Sequence, residues 1–208
     1  MYSYILIWYR KNMNVKKTLE ERVAEAVRED VAIVPYNPEW PEMFRKEADY
    51  LRNALPSSII RRIEHFGSTA VAGLAAKPII DILVEVSSLD ETKEKIVPVL
   101  ENAGYDYFWR SEFDGPPFYA WFIKRDAERV RTHHIHMVEA SSKLWERLYF
   151  RDYLREFPEE AEKYSRLKIS LAEKYPNDRI TYTKGKTEFV VSITGKALLR
   201  GKGKGLVS

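Results

Sequence analysis

Cysteine is missing altogether from this 208-residue chain, and glycine and proline are sparse, at 9 and 10. Without cysteine there is no disulfide and no thiolate metal site, which fits a reducing compartment. With so few chain-breaking residues, and with 45% apolar against 31% charged residues, the profile is that of a globular domain rather than a disordered or fibrous chain. Long apolar runs are absent too: every uninterrupted one is far shorter than the roughly 20 residues a membrane span needs. A strong charge of one sign is also lacking. The balance of 34 Lys and Arg against 31 Asp and Glu leaves +3, too little to argue for nucleic-acid binding, and no RNA-binding motif is present. Any anion site must therefore be local.

What is there suffices for one domain, since a chain of this size buries about 70% of the surface it exposes when unfolded. Residues 1–30 read as an N-terminal extension. Met1 to Trp8 is apolar and aromatic but has no basic leader and no small-residue cleavage site, so it does not read as a signal peptide. Met13 is an alternative translation start. Val15, Leu19, Val23, Ala26 and Val27 then recur at helical spacing, predicting one amphipathic helix. Residues 31–199 form the main domain, and residues 200–208 alternate Gly and Lys as a flexible basic tail. The expected location is the cytoplasm.

Inside the main domain a helix with Pro41 in its first turn runs to about Leu55. Strands are expected over Ser58–Phe66, Pro78–Val86, Tyr105–Trp109, Phe118–Lys124 and Val130–Val138, with a helix over Asp90–Asn102 stopped by Gly104. After Ser141 the spacing is helical, including Tyr182–Leu199, where β-branched residues compete with a helical period. Aromatic residues around the Gly115-Pro116-Pro117 loop read as core and rim, with base stacking by Trp109 or Tyr119 the lesser alternative.

Two features carry chemistry. Gly67-Ser68 ends a strand, and such a turn offers backbone N–H groups without a Cβ in the way, plus a hydroxyl, as a phosphate needs. A helix starting at Thr69 would add its N-terminal partial charge. Asp81 stands in an apolar strand, where a carboxylate must be metal-bound, ion-paired or at an open end. The bland alternative is a common turn and an Asp paired with Lys77, and spacing alone does not choose. On a later strand His134 and His136 share one face, about 7 Å apart, while His133 points to the other. Two imidazoles on one face suit metal ligation, acid and base work, or phosphate binding, and equally a bland role satisfied by neighbours.

The string EHFGSTAVAGLAAKPIIDILVEV from Glu64, followed by HHIHMVE from His133, LYFRDYLREFPEEAEKYSRLK from Leu148 and YTKGKTEFV from Tyr182, resembles the signature of the GrpB family over about Val31 to Leu199. The resemblance implies an α/β (α+β) fold, a nucleotidyltransferase-like mixed sheet flanked by helices with a helical C-terminal part. It also implies Gly67 and Ser68 as phosphate ligands and Asp81 as the first of two metal-binding acids. The second position is Leu83. Glu85 cannot replace it, because four residues of strand span ~13 Å whereas paired catalytic metals lie ~3.5 to 4 Å apart.

With Asp81 on a neighbouring strand, as the resemblance implies, Asp81, His134 and His136 become the expected catalytic group, with Asp81 and His136 holding a divalent metal (Mg, Mn or Zn). Lys77, Arg151, Asp152, Lys168 and Lys186 join Gly67 and Ser68 as the expected ligand-binding set, whereas Arg155 and Lys184 read as solvated. The expected function is binding of a nucleotide or other phosphorylated small molecule, with metal-dependent nucleotidyl or phosphoryl transfer. The alternative is a non-catalytic sensing or protein-interaction module. Occurrence of a similar domain fused to dephospho-coenzyme A kinase links the family to coenzyme A metabolism.

Overall fold

All five expected extended runs pair into a single sheet. The computed structural model describes residues 31–111 and 118–203; the expected N-terminal helix, the Met13 start and the Gly-Pro-Pro loop lie outside them. Helix α1 (Trp40–Ala54) precedes strand β1 (Ile60–Phe66), and β2 (Ile80–Val86) follows. A helical stretch comes next, made of α2 (Leu89–Glu91), a π-helical turn (Thr92–Ile96) and α3 (Val97–Asn102), and Gly104 ends it with a φ of 89°. Strands β3 (Asp106–Ser111), β4 (Phe118–Arg125) and β5 (Arg131–Val138) complete the sheet, and helices α4 (Glu146–Glu156), α5 (Pro158–Lys174), α6 (Arg179–Lys184) and α7 (Thr187–Gly203) close the chain.

The strand order is β1-β2-β5-β4-β3, with β2 and β5 parallel and the other pairs antiparallel. This is the mixed sheet flanked by helices that the sequence implies. Alternation assigns its faces. Ile80, Ile82, Val84, Ile135, Met137 and Phe122 join Trp40, Ala48 and Leu51 of α1 and Leu100 of α3 in the main core. The opposite face carries Asp81, Leu83, His134, His136, Trp121 and Tyr119, and Leu144 and Leu148 pack on it. A third cluster joins Val71 and Leu74, from the β1–β2 connection, to α4, α5 and α7.

Helix prevails over the β-branched signal at the C-terminus because Ile193 is driven into this third cluster at a helical spacing. The helix is interrupted at Gly185, where an added Cβ would come within 2.6 Å of the Leu171 side chain. It continues to Gly203, into the segment expected to be tail. Among the described residues no helix is long and apolar enough to cross a membrane.

Candidate functional site

The β1–β2 connection brings its turn against the first acid of β2. Gly67 has φ 74° and ψ −173°, a conformation nearly confined to glycine, and an added Cβ would lie 2.3 Å from Asp81 Oδ2. Backbone freedom and close approach thus both demand glycine. The helix expected at Thr69 is a single 3-10 turn, Ser68–Ala70, too short for a useful axial dipole. The Ser68 side chain hydrogen-bonds the Tyr164 hydroxyl on α5. Thr69 donates its hydroxyl to Ile79 O at 3.2 Å, so the 3.0 Å contact with His65 Nε2 has the imidazole as donor.

Parallel pairing places Asp81 opposite His134. His134 Nδ1 lies 3.1 Å from Asp81 Oδ1, and Arg131 Nη1 lies 3.5 Å from His134 Nε2. A guanidinium only donates, so Nε2 accepts and the Nδ1–H points at the carboxylate. His136, two residues along, has Nδ1 3.2 Å from the Tyr119 hydroxyl and its ring edge-on to Phe66 at 5.2 Å. Asp81, His134 and His136 each offer a ligand atom within 4.8 Å of the others.

Burial sets the protonation of this group. It lowers His134 to about 4, although the Asp81 hydrogen bond and charge pull upwards, and lowers His136 to about 3. Both imidazoles are neutral at pH 7, the state a metal requires. Burial pushes the Asp81 carboxyl up, but the His134 hydrogen bond and the influence of His134, His136 and Lys77 outweigh it, leaving Asp81 below its usual range. One ionised carboxylate and two neutral imidazoles therefore face one point.

Leu83, where a second acid would stand, is fully buried among Phe66, Tyr119, Val138, Leu144 and Leu148. Glu85 pairs in register with Arg62 and Val138, further along β2. The donor set therefore does not fit a two-carboxylate metal pair. A single site of mixed oxygen and nitrogen donors suits a transition metal better than magnesium.

Lys77 and Lys186 lie close enough for the Asp81 charge to act on both. Burial is the main cause lowering Lys77 to about 7 and Lys186 to about 8, and neighbouring cations add to it. Lys168, 2% exposed, donates to Ala75 O and sits 4.8 Å from the Tyr164 ring centroid. It braces the connection from below.

Arg151 and Asp152, both in the expected ligand-binding set, are also bound within the protein. Arg151 donates to Glu64 Oε2 at 2.9 Å and His65 O at 2.8 Å, and doubly to Asp152 at 2.7 and 3.0 Å. Its donors are spent tying α4 to the edge strand β1, and Asp152 orients it. Arg155 is not merely solvated: it donates twice to Ala70 O, at 3.0 and 2.8 Å, clamping the 3-10 turn. Lys184 is exposed, as expected. Trp109 lies on the core face of the sheet beneath Lys93, 3.6 Å from its ring centroid, while Tyr119 lies on the site face.

Sequence reasoning missed Arg147, Arg179, Tyr164 and Tyr182, which reach the site from the C-terminal helices. Tyr164 lies within the LYFRDYLREFPEEAEKYSRLK string and Tyr182 opens YTKGKTEFV, but neither string marks its aromatic residue as lining a site. A cleft of about 540 Å³ lined by Val71, Leu74, Arg155 and Pro158 lies apart and holds none of the Asp81 group.

The family model described as GrpB protein matches residues 30–196. Glutamate-rich protein GrpB of Alkalihalophilus pseudofirmus is 40% identical over 166 residues, 79% of this chain and 94% of that protein. A UPF0157 protein of Pseudomonas aeruginosa is 39% identical over 86% of this chain and 72% of its own length. Dephospho-CoA kinase of Mycobacterium bovis is 35% identical over 102 residues, 48% of this chain and 24% of the kinase. The crystal structure of conserved protein GrpB from Enterococcus faecalis superposes with a TM-score of 0.72 at 34% identity, covering 81% of this chain and 98% of that one.

Proposed function

The chain belongs to the GrpB family, and we propose that it binds one divalent metal ion together with a nucleotide or other phosphorylated small molecule at the Asp81 group. The observation that carries this is the meeting of Asp81, His134 and His136, with ligand atoms within 4.8 Å, beside a glycine turn and two lysines that feel the Asp81 charge. Asp81 and His136 hold the metal, with manganese or zinc favoured over magnesium by the donor set. His134 keeps the Asp81 carboxylate turned and ionised through its Nδ1–H. The bound metal would polarise a phosphoryl oxygen, while Ser68, Lys77 and Lys186 receive the phosphate charge.

One observation favours a second reading, binding without transfer. Leu83 is sealed under α4 in the place of the second acid, which removes the usual means of activating an acceptor hydroxyl beside the phosphate. The family's occurrence in a dephospho-CoA kinase makes a coenzyme A precursor one compound to include.

Incubation of the pure protein with nucleoside triphosphates or dephospho-coenzyme A, and with Mg²⁺, Mn²⁺ or Zn²⁺, tests both readings by melting temperature and product release. Stabilisation with turnover that Asp81→Ala abolishes is the outcome for a transferase. Stabilisation without turnover is the outcome for a sensing module. A melting temperature indifferent to every phosphate compound and metal rejects both.

A further inference from the structure

Strand β5 carries an irregularity where it meets β4. Lys124 pairs with His133, but the next residue of β4, Arg125, pairs with Arg131, so Thr132 is one residue too many. The extra residue makes a β-bulge, and its hydroxyl secures it, donating to Lys124 O at 3.3 Å and lying 2.9 Å from His133 Nδ1. In an unbroken strand Arg131 would share the face of His133, since residues two apart point the same way. The bulge inverts that alternation. Arg131 emerges on the face of His134 instead, 3% exposed, with Nη1 3.5 Å from His134 Nε2.

A buried guanidinium at that place restricts what His134 can do. It only donates, so Nε2 keeps its lone pair towards Arg131 while Nδ1 carries the proton directed at Asp81 Oδ1, 3.1 Å away. Binding a metal through Nε2 would displace Arg131. Binding through Nδ1 would put the neutral ring's proton on Nε2, setting donor against donor at a buried contact. Neither nitrogen is open to a metal while Arg131 is in place. His136 is under no such restriction: its Nδ1 lies 3.2 Å from the Tyr119 hydroxyl, a group able to donate or accept.

Resting on the metal-and-phosphate reading above, we infer that Arg131 is a positioning residue of the metal site: it reserves His134 for orienting Asp81 and so limits the protein's ligands to Asp81 and His136. The ligand atoms of Asp81, His134 and His136 lie within 4.8 Å of one another, and without Arg131 all three would take the ion. Tetrahedral zinc held by one Asp81 oxygen and one His136 nitrogen keeps two positions for oxygens of water or phosphate, against one if His134 also bound. Arg131 thus sets how much of the ion is left for the ligand.

Nitrogen NMR of the intact protein, labelled at its histidine rings, tests this. It tells protonated, bare and metal-bound ring nitrogens apart, and the chain has only 4 histidines to assign. Before metal is added, His134 should carry its proton on Nδ1. One equivalent of Zn²⁺ should then give His136 a metal-bound nitrogen and leave both nitrogens of His134 off the ion. In Arg131→Met, His134 should join it, with the ring proton moved to Nε2. A purely structural Arg131 would lower the melting temperature of that variant without changing which rings bind zinc, and that result overturns the inference. So does a proton on Nε2 of His134, or zinc on His134, in the unsubstituted protein; these results need no variant to fold and leave the metal-and-phosphate reading standing. Zinc that reaches neither ring overturns that reading as well.

Discussion

The two faces of the sheet handle charge in opposite ways. On the core face the buried Glu47 accepts from the Tyr105 hydroxyl and from Lys124, and Lys124 lies 5.5 Å from the ring centroids of both Tyr50 and Tyr105. Here each charge has its partner, as the interior of a stable domain requires. On the site face Lys77 and Lys186 meet no carboxylate partner among the described residues, and two imidazoles are held neutral by burial. The difference teaches where to look for function: one face pairs its own charges, and the other leaves two lysines without a carboxylate partner among the described residues.

The largest way to break this contrast is at the turn. Gly67→Val combines a positive φ with a Cβ placed 2.3 Å from Asp81 Oδ2, and should cost about 3 kcal/mol or more of stability. Denaturant unfolding measures it, and a loss below about 1 kcal/mol would show that the close approach matters little. Next comes the closed face, where Glu47→Ala leaves Lys124 and Tyr105 without their acceptor. An expected loss of roughly 1–3 kcal/mol should leave metal affinity untouched, whereas Asp81→Ala should abolish metal binding at little cost to the fold. If the two variants exchanged phenotypes, the assignment of the faces would be reversed.

Acid should reveal the neutral histidines with a smaller effect. The folded protein holds His134 near 4 and His136 near 3, against about 6.5 in an unfolded chain. Between those values the unfolded chain binds protons that the folded one refuses, so stability falls as pH drops through this window and is flat above it from this cause. His136→Gln should flatten the melting temperature profile between about pH 4 and 6.5; an unchanged slope would show the ring to be accessible to protons.

The smallest effect is expected at the lysine pair. Lys77 falls to about 7 from its ordinary value near 10.5, so its charge penalises folding below pH 7, and the penalty is relieved as pH rises from there towards 10.5. Lys77→Met should raise the melting temperature modestly at neutral pH, with the gain shrinking as pH rises from about 7 towards 10.5. A loss of stability at pH 7 would mean that the ammonium is satisfied without a ligand.

Much of this molecule was legible in its residues. Apolar and β-branched runs bounded by turn residues marked the strands, and the family resemblance let Asp81 and Leu83 be read as one acid kept and one lost. The side-by-side placement of Asp81 and His134 followed only through the family resemblance, because β2 and β5 are separated by two strands in the chain and parallel in the sheet. The internal partners of Arg151 and Arg155 were not legible for a reason spacing cannot show: Glu64, His65 O and Ala70 O lie some 85 residues earlier and include backbone carbonyls.

By itself the sequence determined the elements, the glycine turn and the types of group available for chemistry, because these depend on local periodicity and on what each side chain can donate or accept. Tertiary structure alone decided which groups meet. Lys77 and Lys186 both approach the Tyr182 ring, and α4 seals Leu83 while its arginines turn to the backbone. Such meetings are set by helices packing across the sheet to bury their apolar faces, a nonlocal condition that no window of residues contains.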